Sequence, residues 1–146
     1  VDGTTEQNAT ETSTLDELFG EENLTITYTG AEISTNYMEG SYYSLDAEQG
    51  KTYVIVGIDI TNSGTEDITV DNFAKMPKFS AMVNGQEKAD EENTILPSDF
   101  ALYQETIPAG ATENTELLFQ VPDSVTSVDS LDLFVNIGGT NYQITL

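Results

Sequence analysis

The sequence predicts an all-β protein, an antiparallel sandwich of seven to eight strands with a short helix near its N-terminus. Three observations carry this expectation. Residues 51–64, KTYVIVGIDITNSG, set Val54, Val56, Ile58 and Ile60 at a spacing of two, the period that puts one row of side chains on a core. Turn-forming pairs and triplets recur between short apolar runs, at Asn62-Ser63-Gly64, Asn84-Gly85, Pro108-Ala109-Gly110 and Gly138-Gly139. No long stretch repeats at the helical period, which leaves two packed sheets as the way to bury these runs.

Taken in order, residues 1–13, VDGTTEQNATETS, hold almost nothing to bury and read as a solvated tether. A helix is expected at Leu15–Phe19. Thr14 and Glu17 have capping-box spacing, Gly20 fits a C′ position, and Leu15, Leu18 and Phe19 form one apolar face. Residues 1–23 are therefore assigned to an acidic polar tether and 24–146 to the sandwich. Leu24–Ile33 reads as the first strand, with Gly30 marking a bulge or bend. Ser34–Gly50 lacks clean periodicity and reads as a long connection with a short edge strand around Tyr42–Leu45.

The strand over residues 51–62 shows a mixed second face of Ile55, Gly57 and Asp59, expected toward solvent. Asp67–Val70 follows as a brief strand, and Asp71-Asn72-Phe73 as a corner where Phe73 plugs the end of the core. Lys78–Val83 and Gln86–Lys88 flank Asn84-Gly85, the signature of a tight hairpin. Asp99–Thr106 reads as a strand with Phe100 and Leu102 opposed to Ala101 and Tyr103. Thr115–Val121 buries Leu117, Phe119 and Val121. Leu131–Ile137 then returns through Gly138-Gly139 so that Val135 faces Tyr142, Leu133 faces Ile144 and Leu131 faces Leu146.

Charge constrains partners. Twenty-six acids stand against four lysines, with no histidine and a net charge of −22. Seven acids precede Leu24, so the rest of the chain still carries −15. Such a surface repels nucleic-acid phosphates and anionic headgroups, and no apolar run has the length of a membrane span. Neither nucleic-acid binding nor direct membrane insertion by this chain is expected. The chain opens at Val1 rather than methionine, and an upstream segment removed or left out is the expectation.

Two blocks of motifs carry a family resemblance. One is Tyr53–Asn62, reading Y-V-I-V-x-I-x-I-T-N, with Ser63-Gly64 and the Asp71-Asn72-Phe73 corner. The other is the Pro108–Gly110 turn, the L-x-F-x-V-P run at Leu117–Pro122 and the L-x-L at Leu131–Leu133. Over residues 24–146 the chain resembles the immunoglobulin-like domains of unknown function carried by Gram-positive surface lipoproteins. Those domains are similar in fold to a small immunoprotective antigen secreted by mycobacteria. The resemblance implies an immunoglobulin-like sandwich outside the cell, lipid-anchored through an upstream segment or secreted, and it transfers no catalytic residue.

Chemistry is restricted by what the chain lacks. With no His, Cys or Arg, thiol and Ser-His-Asp nucleophiles and zinc-thiolate sites are excluded, and no phosphate-binding loop appears. Carboxylates remain. A carboxylate-only hydrolase is a remote alternative, since 26 acids guarantee chance pairs and none stands out by setting. No cofactor is implied. Calcium suits carboxylates better, and its candidates are Asp90, Glu91 and Glu92, and separately Glu66, Asp67 and Asp71, although neither set matches the D-x-[DN]-x-[DN]-G loop. Tyr37, Tyr42, Tyr43 and Tyr103 form a possible contact surface for a protein or a cell-wall glycan. The plainer reading puts Tyr42 and Tyr43 on an edge strand, one packing on the core and the other covering it. The function expected is a non-catalytic extracellular binding or structural module of the Gram-positive envelope; a calcium- or carbohydrate-binding accessory domain is the alternative.

Overall fold

A computed structural model describes residues 10–39, 43–92, 94 and 96–146. Among them lie twelve strands: β1 (Glu11–Thr14), β2 (Leu24–Ser34), β3 (Asn36–Glu39), β4 (Tyr43–Asp46), β5 (Lys51–Asn62), β6 (Ile68–Asp71), β7 (Lys78–Val83), β8 (Ala89–Asp90), β9 (Gln104–Ile107), β10 (Thr112–Pro122), β11 (Leu131–Ile137) and β12 (Thr140–Thr145). One helix, α1 (Leu15–Phe19), joins β1 to β2, and single 3-10 turns occupy Phe73–Lys75 and Phe100–Leu102. Two main sheets, β10-β5-β2 and β1-β12-β11-β7-β8, face each other; the β3-β4 hairpin and the two-stranded sheet β6-β9 are separate. The protein is thus an all-β sandwich. The two main sheets hold eight strands, and the two extra strand pairs raise the total above the seven to eight expected.

The core follows from period-two patterning. From the three-stranded sheet come Val54, Val56, Ile58, Ile60, Leu117 and Phe119; from the five-stranded sheet come Phe79, Ala81, Leu133, Val135 and Ile144. Gly138 and Gly139 take φ of 59° and 88°, the pair of positive angles that a two-residue hairpin of primed type requires. Leu133 pairs with Ile144 and Val135 with Tyr142, as patterning demands. The third pair does not form, because β12 ends at Thr145 and Leu146 is exposed.

Strand pairing reaches N-terminal to residue 24, as far back as Glu11 among the described residues. β1 pairs in parallel with β12 from Glu11↔Tyr142 to Thr14↔Thr145, so hydrogen bonding recruits a segment whose side chains are too polar to announce a strand. α1 keeps its expected span. The Thr14 hydroxyl accepts from the Glu17 N–H at 3.0 Å, while the Glu17 carboxylate accepts from Ser13 rather than closing a reciprocal box. Gly20 has an extended backbone, φ −81°, and is glycine for another reason. A Cβ there would lie 2.6 Å from the Asp16 carbonyl oxygen and 2.9 Å from that of Leu24. Leu15 and Phe19 are buried. The Phe19 ring lies 5.0 Å from Phe100 and 5.8 Å from Phe79, and those two are 6.0 Å apart. The three rings close one end of the core in edge-to-face and stacked contacts.

Three further expectations change. Phe73 does not plug the core; it is half exposed on its 3-10 turn, and the buried groups at this corner are Asn72, whose Nδ2 donates to the Phe100 carbonyl at 2.8 Å, and Phe100 itself. Asp99–Thr106 is not one strand. The Asp99 carboxylate accepts from the Ala101 N–H at 3.0 Å and starts a 3-10 turn over Phe100–Leu102 that buries Phe100 and Ala101, so the strand begins at Gln104. Asn84-Gly85 does form a turn with positive φ at both residues, but the ladder resumes only at Ala81↔Ala89, one residue out of the tight register.

The second face of β5 is not solvated along its first half. Tyr53 and Ile55 are buried with Tyr37, Leu96 and Leu118 in a smaller cluster, with Leu45 and Ala47 against it. The β3-β4 hairpin therefore forms a partial third layer. Phe19→Ala should lower unfolding free energy by about 3–5 kcal/mol, the range for removing a buried ring, in chemical denaturation; a loss near zero would return α1 to the tether.

Candidate functional site

The outer face of the three-stranded sheet carries a groove of about 550 Å³ where the covering hairpin stops. Backbone geometry makes it. The β2–β5 register slips between Tyr28 and Gly30, so Thr29 is an extra bulged residue and Gly30 stands opposite Gly57. Gly30 has φ 130°, a conformation that a side chain would strain. A Cβ on Gly57 would collide with the Thr29 hydroxyl. Gly57 in turn pairs with Glu116 on β10. One row across the sheet thus reads Gly30–Gly57–Glu116, with two adjacent positions lacking side chains. The hollow above them is the groove floor.

Its walls are polar. Glu32 pairs with Ile55 one row on, and Ser34, Asn36, Tyr37 and Met38 line the side made by β3. The Tyr37 hydroxyl donates to Glu116 Oε2 at 2.8 Å and lies 3.2 Å from Ser98 Oγ. Asn36 Nδ2 donates to Ser44 Oγ at 2.7 Å and Asp46 Oδ1 at 2.8 Å, which fixes the hairpin that carries the wall. Met38 is 59% exposed.

The expected tyrosine surface disperses. Tyr37 is 8% exposed and Tyr103 4%, so neither ring offers a contact face: Tyr37 packs under the hairpin and Tyr103 in the main core. Burial pushes the Tyr103 hydroxyl up to about 12. Tyr43 is 55% exposed on β4. Tyr42 lies outside the described residues. The carboxylate sets expected for calcium also disperse, and among the described residues no three acidic groups converge on a point that could hold a metal ion. Glu92 accepts from Gln120 Nε2 at 3.0 Å and Glu91 turns inward. Asp71 accepts from the Ala74 N–H and from Gln104, and Asp67 from the Ala109 N–H. Each set is drawn apart by local backbone and amide partners.

One carboxyl pair does stand out by its setting, contrary to the sequence reading. Glu91 is hydrogen-bonded to Asp99, its Oε2 is buried without a partner, and Asp99 is 3% exposed. Asp99 also accepts from the Thr94 N–H and hydroxyl and from Ala101. Burial first, then the charge of Asp99, its hydrogen bond and the charge of Glu92, raise Glu91 from the ordinary 4.5 to about 9. Glu91 is thus held protonated beside Asp99. Only the fold brings these residues together: Glu91 bridges to Phe119 and Asp99 to Glu116. No local spacing could have revealed it. Glycoside hydrolysis needs carboxyls roughly 5–9.5 Å apart with the sugar between them, and two hydrogen-bonded carboxyls leave no such room.

The folded state keeps the Glu91 proton across a range where the unfolded chain releases it. Its stabilising effect is therefore complete below about 4.5 and is lost as pH rises to about 9. Glu91→Gln keeps a neutral donor at every pH. Its melting temperature relative to the wild type should climb steadily from pH 5 to pH 9, and a difference independent of pH would contradict the buried pair.

Three solved structures are similar in outline. An uncharacterized β-sandwich protein from Clostridium difficile 630 matches at 22% identity, with 85% of each chain covered and a TM-score of 0.52. A conserved hypothetical protein from Bacillus anthracis matches at 11% identity over 86% of this chain and 89% of its own, TM-score 0.46. A candidate lipoprotein from Bacillus subtilis matches at 11% identity over 95% of this chain and 39% of its own, TM-score 0.43. No curated protein sequence matches this one. The first likeness agrees with the sandwich fold. Residues 13–142, from β1 into β12, match one family along nearly the whole domain: the chain belongs to the domain of unknown function DUF4352.

Proposed function

We propose that this protein is a non-catalytic binding module of the Gram-positive cell envelope, displayed outside the cell, and that it meets a protein partner through the groove over Gly30 and Gly57. The observation that carries this reading is the groove itself. Two adjacent side-chain-free positions on a rigid sheet open about 550 Å³ at the protein surface, and a concavity with a few converging polar groups is the usual form of a recognition site. Display outside the cell rests on the sequence resemblance and the acidic N-terminal segment. The absence of His, Cys and Arg removes the common catalytic groups, and the buried Glu91–Asp99 pair found among the described residues is spent on an internal contact.

A glycan fits the groove less well. Sugar rings stack on exposed aromatic faces, and the one tyrosine that lines the groove among the described residues, Tyr37, is 8% exposed. When surface proteins extracted from the producing cell are added to the 15N-labelled domain, the amide signals of Gly30 and Gly57 should broaden first. Purified wall glycans should leave them in place. Broadening confined to the Phe73–Met76 corner, or none with either fraction, would contradict the groove as the contact face.

A further inference from the structure

On the reading that the groove is a contact face, we infer that it receives the cationic end of a lysine or arginine side chain projecting from the partner polypeptide. Three features of the groove point to that chemistry. Its carboxylates, Glu32 on β2 and Glu116 on β10, stand on the two strands that flank β5 and its Gly57. No lysine is among the groove residues: Lys51, Lys75, Lys78 and Lys88 all lie elsewhere. Met38, 59% exposed on the third side, supplies a pliable thioether against which an alkyl stem can lie.

Shape and charge agree. Glu116 is held by the Tyr37 hydroxyl at 2.8 Å, so one acceptor is oriented before the partner arrives, which lowers the ordering cost of binding. The hydroxyl of Thr29 lies over Gly57 in the same groove and gives a further acceptor for the several N–H groups of an ammonium or guanidinium. At long range the net charge of −22 draws in a cationic partner and repels an anionic one. A second copy of this chain, equally acidic, is disfavoured as the occupant on the same ground.

The test uses capped pentapeptides with a central lysine, arginine or Nζ-acetyl-lysine in an alanine background, titrated into the 15N-labelled full chain. The lysine and arginine peptides should shift the Gly30 and Gly57 amides, and acetyl-lysine should not. Glu32→Gln combined with Glu116→Gln, which leaves the Tyr37 hydroxyl an acceptor, should weaken binding about tenfold or more. Glu22→Gln combined with Glu87→Gln removes the same charge elsewhere and should leave the affinity nearly unchanged. Equal weakening by both pairs would reduce the effect to net charge and overturn the inference. If the acetylated peptide or a wall glycan moves the two glycine amides as strongly, the cation site is wrong while the groove stands. If the surface-protein extract and every peptide leave them still, the groove reading falls as well.

Discussion

The structure depends on one strand being buried on both faces. β5 runs as the middle strand between β2 and β10, so its backbone is paired on both edges. Val54, Val56, Ile58 and Ile60 point into the space between the sheets, each fully buried, while Tyr53 and Ile55 point the other way under the β3-β4 hairpin. A residue slip in such a strand would exchange two apolar rows that differ in length and neighbours, so its register is fixed twice over. The second row ends at Gly57. From there the outer face carries Asp59, which accepts from Asn114 Nδ2 at 2.7 Å, and is solvated. The groove sits at this change from covered to open sheet.

The ends of the sandwich are closed by polar devices as much as by apolar ones. Asn62, fully buried at the end of β5, donates to the carbonyls of Glu66 and Ile107 at 2.7 and 2.9 Å and accepts from the Gly64 N–H. Asn72 does the same service for the turn that carries Phe100. These satisfied amides hold loops whose own composition would let them wander. The Glu91–Asp99 pair links two points whose backbones bridge to β10 at Phe119 and at Glu116. In a chain of net charge −22, holding one carboxyl neutral in the interior is also the arrangement that adds least to self-repulsion.

Much of the sandwich was legible because it rests on local patterns. Alternation over Val54–Ile60, Leu117–Val121 and Leu131–Ile137, and the Gly138-Gly139 turn, each name their own conformation. What escaped depended on contacts distant in sequence. Glu11–Thr14 has no apolar period and becomes a strand only because β12 offers it an edge. Ile55 and Tyr53 read as a mixed face until β3 and β4 fold over them. Phe73 and Phe100 exchanged roles because Asp99 caps a turn where the apolar pattern suggested a strand. At the candidate site, Gly30 was readable as a bulge, but its pairing with Gly57 required the register of two strands. Tyr37 was singled out for its exposed ring, and what the groove uses is its hydroxyl.

The two-faced burial of β5 is tested most directly by comparing the melting temperatures of Ile58→Asp and Ile55→Asp. A buried carboxylate without a partner costs several kcal/mol, a large part of a domain's stability. Ile58 is fully buried between the sheets and Ile55 is 8% exposed under the hairpin, so both variants should lose most of their cooperative melting. A folded Ile55→Asp variant melting with the wild type would show that the third layer does not hold the sheet, and an Ile58→Asp variant that melts unchanged while Ile55→Asp unfolds would reverse the faces of the strand.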